Sequence, residues 1–375
     1  MRTVSTPWPI VPLHEICSPK QWPTIPQTAF LAKGYPVYGA NGVIGYYSEF
    51  NHEKPTVLIT CRGATCGTIN LCAPKSYVTG NAMALDDLDE TRVELRYLVR
   101  ALRNGSLRKA ISGTAQPQIT RQGLTVISIP LPPLPEQRRI AEVLDRAEAL
   151  RAKRRATLSE LDTLTQSIFL DLFGDPIQNP HAFPVKPMID LVDPERPISY
   201  GILMPGPDQD EGVKYVRVVD MKNGAIELTG IRRTTEKISN EFRRSLLKPG
   251  DLLMSIRGHV GRFAVVPPEL NGANITQDTA RLAIRGASSV FVRECLRTPG
   301  FQQWMAKHTK GVAVQGINLG DVKLMPVILP PQKDQDGFAC QANAIAKLKG
   351  IHRASLAKLD ALSSVLQHCA FRGEL

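Results

Sequence analysis

Two long stretches of the chain carry apolar residues at alternating steps of three and four. From 136 to 173 the stripe runs through Ile140, Leu144, Ala147, Leu158, Leu161, Ile168 and Leu172. From about 334 to 369 it runs through Phe338, Ala342, Ile345, Leu348, Leu356, Leu359, Leu362 and Leu366. This spacing predicts two amphipathic helices of about 36 residues, each roughly 54 Å long at ~1.5 Å per residue. Pro135 and Glu136 suit the start of the first, and Gly174-Asp175-Pro176 ends it. Arg151 and Arg154 interrupt its stripe. An apolar seam of this length predicts that the helices pair with each other; the alternative is that each packs on its own domain.

Shorter patterns fill the rest. TVLITC (56–61), GTINLCA (67–73), VKYVRVVDM (213–221) and DLLMSI (251–256) read as strands bounded by Gly, Pro and Asn. VELRYLVRALRNG (93–105) and VFVRECLRT (290–298) read as helices. Each domain is therefore expected to be α+β.

These segments come in duplicate. RATLSELDTL (155–164) matches RASLAKLDAL (353–362) at an offset of 198, and GTAQPQITRQGLTVISIPLPPLPEQ (113–137) aligns without gaps on GVAVQGINLGDVKLMPVILPPQKDQ (311–335). The aligned pairs include Ala115 with Ala313, Ile119 with Ile317 and Gln137 with Gln335. Further upstream, Trp8-Pro9-x-x-Pro12-Leu13 resembles Phe183-Pro184-x-x-Pro187-Met188 at an offset of 175, and Arg62-Gly63 resembles Arg257-Gly258 at 195. A period near 200 is too long for a solenoid. Two similar domains, each followed by a long helix, account for it, with boundaries at 1–134, 135–173, 174–332 and 333–375.

Composition narrows the partners. The chain has 375 residues, 43% of them hydrophobic, and a net charge of +11 that favours a polyanion. No apolar run approaches the roughly 20 residues of a membrane span, and the first residues lack the apolar stretch of a signal peptide, so the expectation is a cytoplasmic protein with no membrane contact. The seven cysteines show no CxxC spacing; Cys61, Cys66 and Cys72 are read as reduced core thiols rather than metal ligands, and no metal site is expected. No Walker lysine turn, GxGxxG, HExxH, or Gly-rich cofactor turn with an Asn-Pro-Pro-aromatic motif occurs, so no catalytic residue is assigned.

What remains are loops suited to nucleic acid. YPVYGANGVIGYY (35–47) offers Tyr38 and Asn41 among glycine turns. Arg62 and Arg257 each stand on a Gly turn, where a guanidinium can meet guanine or a phosphate, or simply be solvated. Thr65 and Lys75 extend the first set; Tyr200, Lys214, Arg217, His259 and Arg262 extend the second.

PLPPLPEQRRIAEVLDRAEALRAKRRATLSELDTLTQSIFLDLFGDP (131–176) resembles the central conserved region of the specificity subunits of type I restriction-modification systems. YGANGVIGYY and ISYGILMPGP (198–207) resemble stretches of their target-recognition domains, and LPPQKDQ with the helix ending AFRGEL resembles their distal conserved region, although QKDQDGFACQANAI departs from the usual helix start. The resemblance implies two target-recognition domains reading a split DNA sequence. The helices would pair as an antiparallel coiled coil in a pseudo-twofold arrangement, acting as a spacer. Ile140, Leu144, Leu158, Leu161, Ile168, Ile345, Leu356, Leu359 and Leu362 would form the spacer and docking surface. It further implies a non-catalytic subunit that binds double-stranded DNA and two modification subunits, with restriction (motor and nuclease) subunits in the full complex. S-adenosylmethionine, ATP and Mg would belong to those partners. The readings kept beside this one are a DNA-binding accessory of another defence complex and a helical adaptor.

Overall fold

The computed structural model describes residues 7–105, 107–113, 116–222, 224–311 and 315–375; the repeat pair Ala115 and Ala313 lies outside them, as do the first six residues. The chain forms two compact units. Unit 1 is Met1–Arg155 with Ala354–Leu375, and unit 2 is Ala156–Arg353. Four helices matter below: α1 (Leu95–Asn104), α2 (Leu134–Phe173), α3 (Ser289–Arg297) and α4 (Gln332–Ala370). The two long helices are those the stripes predict, and each contributes one half to each unit.

In unit 1 a four-stranded antiparallel sheet runs in the order Ser18–Lys20, Ala82–Asp86, Val57–Thr60, Ile69–Leu71. A second sheet sets Tyr35–Gly39 between its hairpin partner Gly42–Tyr47 and the parallel strand Tyr77–Val78. A ribbon pairs Ile10–Pro12 with Ser128–Pro130. Unit 2 repeats the plan: Ser199–Tyr200, Thr279–Leu282, Leu252–Ser255, Phe263–Val265 in one sheet, Val213–Val216 between antiparallel Arg232–Thr234 and parallel Asn274–Ile275 in the other, and a ribbon of Val185–Pro187 with Pro326–Ile328. The central strands Val57–Thr60 and Leu252–Ser255 are buried at every residue, which explains why their sequences run apolar without alternation.

Gln137 and Gln335, paired by the repeat, do the same work in both units. Buried Gln137 accepts from Glu94 N–H at 2.8 Å and donates to Arg92 O and Pro132 O at 2.7 and 2.8 Å, which ties the start of α2 to the start of α1. Gln335 accepts from Ser288 N–H at 3.1 Å and donates to Pro330 O at 2.8 Å, tying α4 to α3. A side-chain amide supplies what these prolyl turns leave unsatisfied.

The long helices run antiparallel within each unit. In unit 1, Ile140, Ala141 and Leu144 share a core with Ala370 and Phe371, and Arg151 Nε donates to Asp360 Oδ1 at 2.6 Å. In unit 2, Asp162 pairs with Lys349 at 2.7 Å, and the rings of Phe173 and Phe338 lie 5.8 Å apart. Within unit 2, eleven residues forward along α2, from Asp162 to Phe173, correspond to eleven back along α4, from Lys349 to Phe338. Ile140 and Leu144 are buried and Leu158, Leu161, Ile168, Ile345, Leu356 and Leu359 half-buried, but Leu362 is 51% exposed while Ser363 beside it is buried. Leu362 therefore leaves the seam, as do Leu172 and Leu348. The polar interruption at Arg151 is filled by its bonds to Asp360 and Glu148.

Among the described residues no helix is long and apolar enough to cross a membrane, and no group of three His, Cys, Asp or Glu could hold a metal ion.

Candidate nucleic-acid interface

The two Arg-Gly turns are built by the same backbone bonds. In unit 1, Arg62 leaves the buried strand Val57–Thr60 and bridges to Gln118. Gly63 N–H donates to Pro117 O at 3.3 Å, and Ile119 N–H donates to Cys61 O at 2.9 Å. In unit 2, Arg257 bridges to Gly316, Gly258 N–H donates to Gln315 O at 2.9 Å, and Ile317 N–H donates to Ile256 O at 2.9 Å. The sequence offsets of 195 and 198 thus belong to the two sides of one motif. Gly63 (φ +85°) and Gly258 (φ +71°) adopt the left-handed backbone that makes each turn, with open space where a side chain would stand. Arg62 and Arg257 are both exposed, and neither makes an ion pair with a carboxylate among the described residues.

In unit 1 the hairpin tip adds to the turn. Thr60 Oγ1 and Asn70 Nδ2 both donate to Ala40 O, the latter at 3.3 Å, which moors the tip carrying exposed Asn41 to the strand that delivers Arg62. Thr65 is exposed on the same turn. Tyr38 is different: its hydroxyl accepts from Ala73 N–H at 3.1 Å and it packs on the cluster of Leu58, Cys72, Val78, Ala82 and Ala84, so its ring is part of the fold. Lys75 is exposed on a separate turn, in left-handed backbone (φ +54°).

In unit 2 the segment 255–262 is strapped by Ser255, whose hydroxyl donates to His259 O at 2.5 Å and accepts from Arg262 N–H at 2.8 Å. His259 is exposed and Arg262 half-buried beside a cleft of about 570 Å³, lined also by Gln302, Met305 and Gln315. Tyr200 is 48% exposed on the edge strand. Lys214 Nζ donates to Glu269 O at 3.2 Å. Arg217 is engaged within the unit: Asp220 accepts its backbone N–H at 2.8 Å and its guanidinium at 3.0 and 2.7 Å. The same bonds end the expected strand 213–221 at Val216, because the chain folds back on itself at Arg217.

Gln277, which the sequence does not single out, completes this region. Its Oε1 accepts from Arg257 Nη1 at 3.3 Å. Twenty positions separate the two, with no shared motif to link them.

The local cysteine cluster is occupied internally. Cys61 Sγ donates to Ile59 O, Cys66 Sγ donates to Cys61 O, and Cys72 Sγ accepts from Thr56 N–H. Burial pushes the Cys61 thiol up to about 11 and Cys17 up to about 12, disfavouring the thiolate.

Residues 6–160 match the type I restriction modification DNA specificity domain. The chain is 26% identical over 379 residues to the type I restriction enzyme EcoBI specificity subunit of Escherichia coli, an alignment covering 92% of this chain and 76% of that one. A stretch of 116 residues, 31% of this chain and 28% of the relative, is 28% identical to the type I restriction enzyme EcoprrI specificity subunit of Escherichia coli. Among solved structures, the fold is similar to the type I restriction-modification system S subunit from M. genitalium, with a TM-score of 0.65 at 16% identity over 99% of this chain and 98% of that one. It is also similar to a chain from a structure describing complex assembly and conformational transition of the type I R-M system, with a TM-score of 0.52 at 18% identity, covering all of both chains.

Proposed function

Because the chain is similar to the specificity subunits of type I restriction-modification systems, we propose that it is one of them, that each unit reads one half of a split duplex target through its Arg-Gly turn, and that the chain performs no chemistry itself. The observation that carries this reading is the repetition of the turn. The same backbone bonds present an exposed arginine without a carboxylate partner among the described residues twice, and the neighbours differ: Asn41 and Thr65 in unit 1, His259 and Arg262 in unit 2. One scaffold with two unlike readers suits a target whose halves are unlike. The net charge of +11 supplies the sequence-independent attraction to phosphates.

On this reading the remaining parts of the reaction lie in partner subunits in the cytoplasm. Two modification subunits dock on the repeated surfaces along α2 and α4 and bring S-adenosylmethionine; restriction subunits bring ATP and Mg. The two long helices set the distance between the half-sites.

Selection of duplexes from a randomised library by the full chain tests the proposal. The expected result is two unlike short motifs with a fixed gap. Exchange of residues 1–134 for the matching segment of a relative should change one motif and leave the other. Binding without sequence preference, or a simultaneous change in both motifs, would overturn it.

A further inference from the structure

The two turns share a backbone but not the surroundings of their arginines. Ile256 N–H donates to Asp278 O in unit 2 as Cys61 N–H donates to Asn81 O in unit 1, and Thr276 N–H donates to Val216 O as Thr79 N–H donates to Tyr38 O. These matched bonds place Gln277 where unit 1 has Gly80. Arg62 therefore has no side chain at that position to hold it, whereas Arg257 has Gln277.

Resting on the reading of unit 2 as a DNA reader, we propose that Gln277 is a specificity-determining residue that positions Arg257 for guanine. A guanidinium only donates, so the amide oxygen of Gln277 must face Arg257, as it does at 3.3 Å, and its NH₂ group must point the other way. Gln277 N–H donates to Ile202 O at 2.9 Å, which fixes the backbone that carries the amide. The outward face of the pair then consists of donors alone: the remaining N–H groups of Arg257 and the two of Gln277. In the major groove only guanine offers two acceptors, N7 and O6, with no donor beside them; adenine N6 and cytosine N4 each present an N–H that such a face repels. Unbound glutamine ordinarily favours adenine because it offers one donor and one acceptor. Here Arg257 consumes the acceptor, and the preference changes with it.

Duplex selection with the full chain, wild type and variants, tests this. Wild type should require a G·C pair at one position of one half-site. Gln277→Ala should lower the preference for that pair roughly tenfold and leave the other half-site unchanged. Gln277→Glu places a carboxylate on Arg257 and should abolish the guanine preference. Arg257→Ala should leave Gln277 with its acceptor restored and shift the position toward adenine. If wild type selects a split target, but Gln277→Ala leaves every position as it was, the positioning role is wrong while the DNA-reading proposal stands. A uniform loss across sequences in Arg257→Ala, with a shallower salt dependence, would mark a phosphate contact and overturn the assignment. No sequence preference in wild type removes the reading on which it rests.

Discussion

At the scale of single residues, the side chains with most structural consequence are polar ones placed by the repeat. Gln137 satisfies three backbone groups from inside unit 1, so Gln137→Ala leaves buried partners unmet and should destabilise the fold by about 2–4 kcal/mol, read as a lowered midpoint in urea unfolding. The buried thiols give a second expectation. Cys17 has its value raised from 9.0 to about 12, so the folded state holds that proton more tightly than the unfolded chain. This stabilisation is complete below pH 9 and is lost as pH rises toward 12; a Cys17→Ala variant should show a smaller alkaline decline in thermal midpoint than wild type. The sequence announced Arg62 and Arg257 through their glycines, because a left-handed turn needs that residue type. Gln277 was illegible, since its meaning lies in one hydrogen bond across the fold, and Arg217 looked available because nothing in a sequence shows that Asp220 will take its charge.

Elements were legible where a period ran long enough to be seen. The extents of α2 and α4 follow from their stripes, but the phase of the seam does not, because a small error per turn accumulates over a helix of 40 residues. Ile140 has no exposed surface whereas Leu362 faces outward, so Ile140→Ala should cost about 2–5 kcal/mol and Leu362→Ala within about 0.5 kcal/mol in the same unfolding assay. Equal losses would return Leu362 to the seam. The helix Pro299–His308 was hidden by its own first residues: Pro299-Gly300 reads as a break, yet proline is favoured at the first helical position, where its missing N–H is not needed.

For the whole molecule, the proposed spacing role makes a measurable claim. Four residues inserted after Thr157, with a compensating insertion near Ser355, lengthen both helices by about 6 Å. Methylation directed by a folded variant should then require one or two more unread base pairs, each rising about 3.4 Å, with both half-sites unchanged. Retention of the original gap would replace the spacer by a flexible link.

Unit 1 takes its last helical segment, Ala354–Leu375, from the far end of the chain, while the repeat counterpart, residues 156–177, lies in unit 2. A chain ending after residue 177 would leave a gap in the first core where Ala370 and Phe371 now sit, and would carry in its own tail the piece that fills the same gap in a second copy. Two such half-length chains should therefore complete each other's first core reciprocally. On the proposed function, carrying both halves in one chain lets each reader change without the other, so that a repeated scaffold can serve a target with unlike halves.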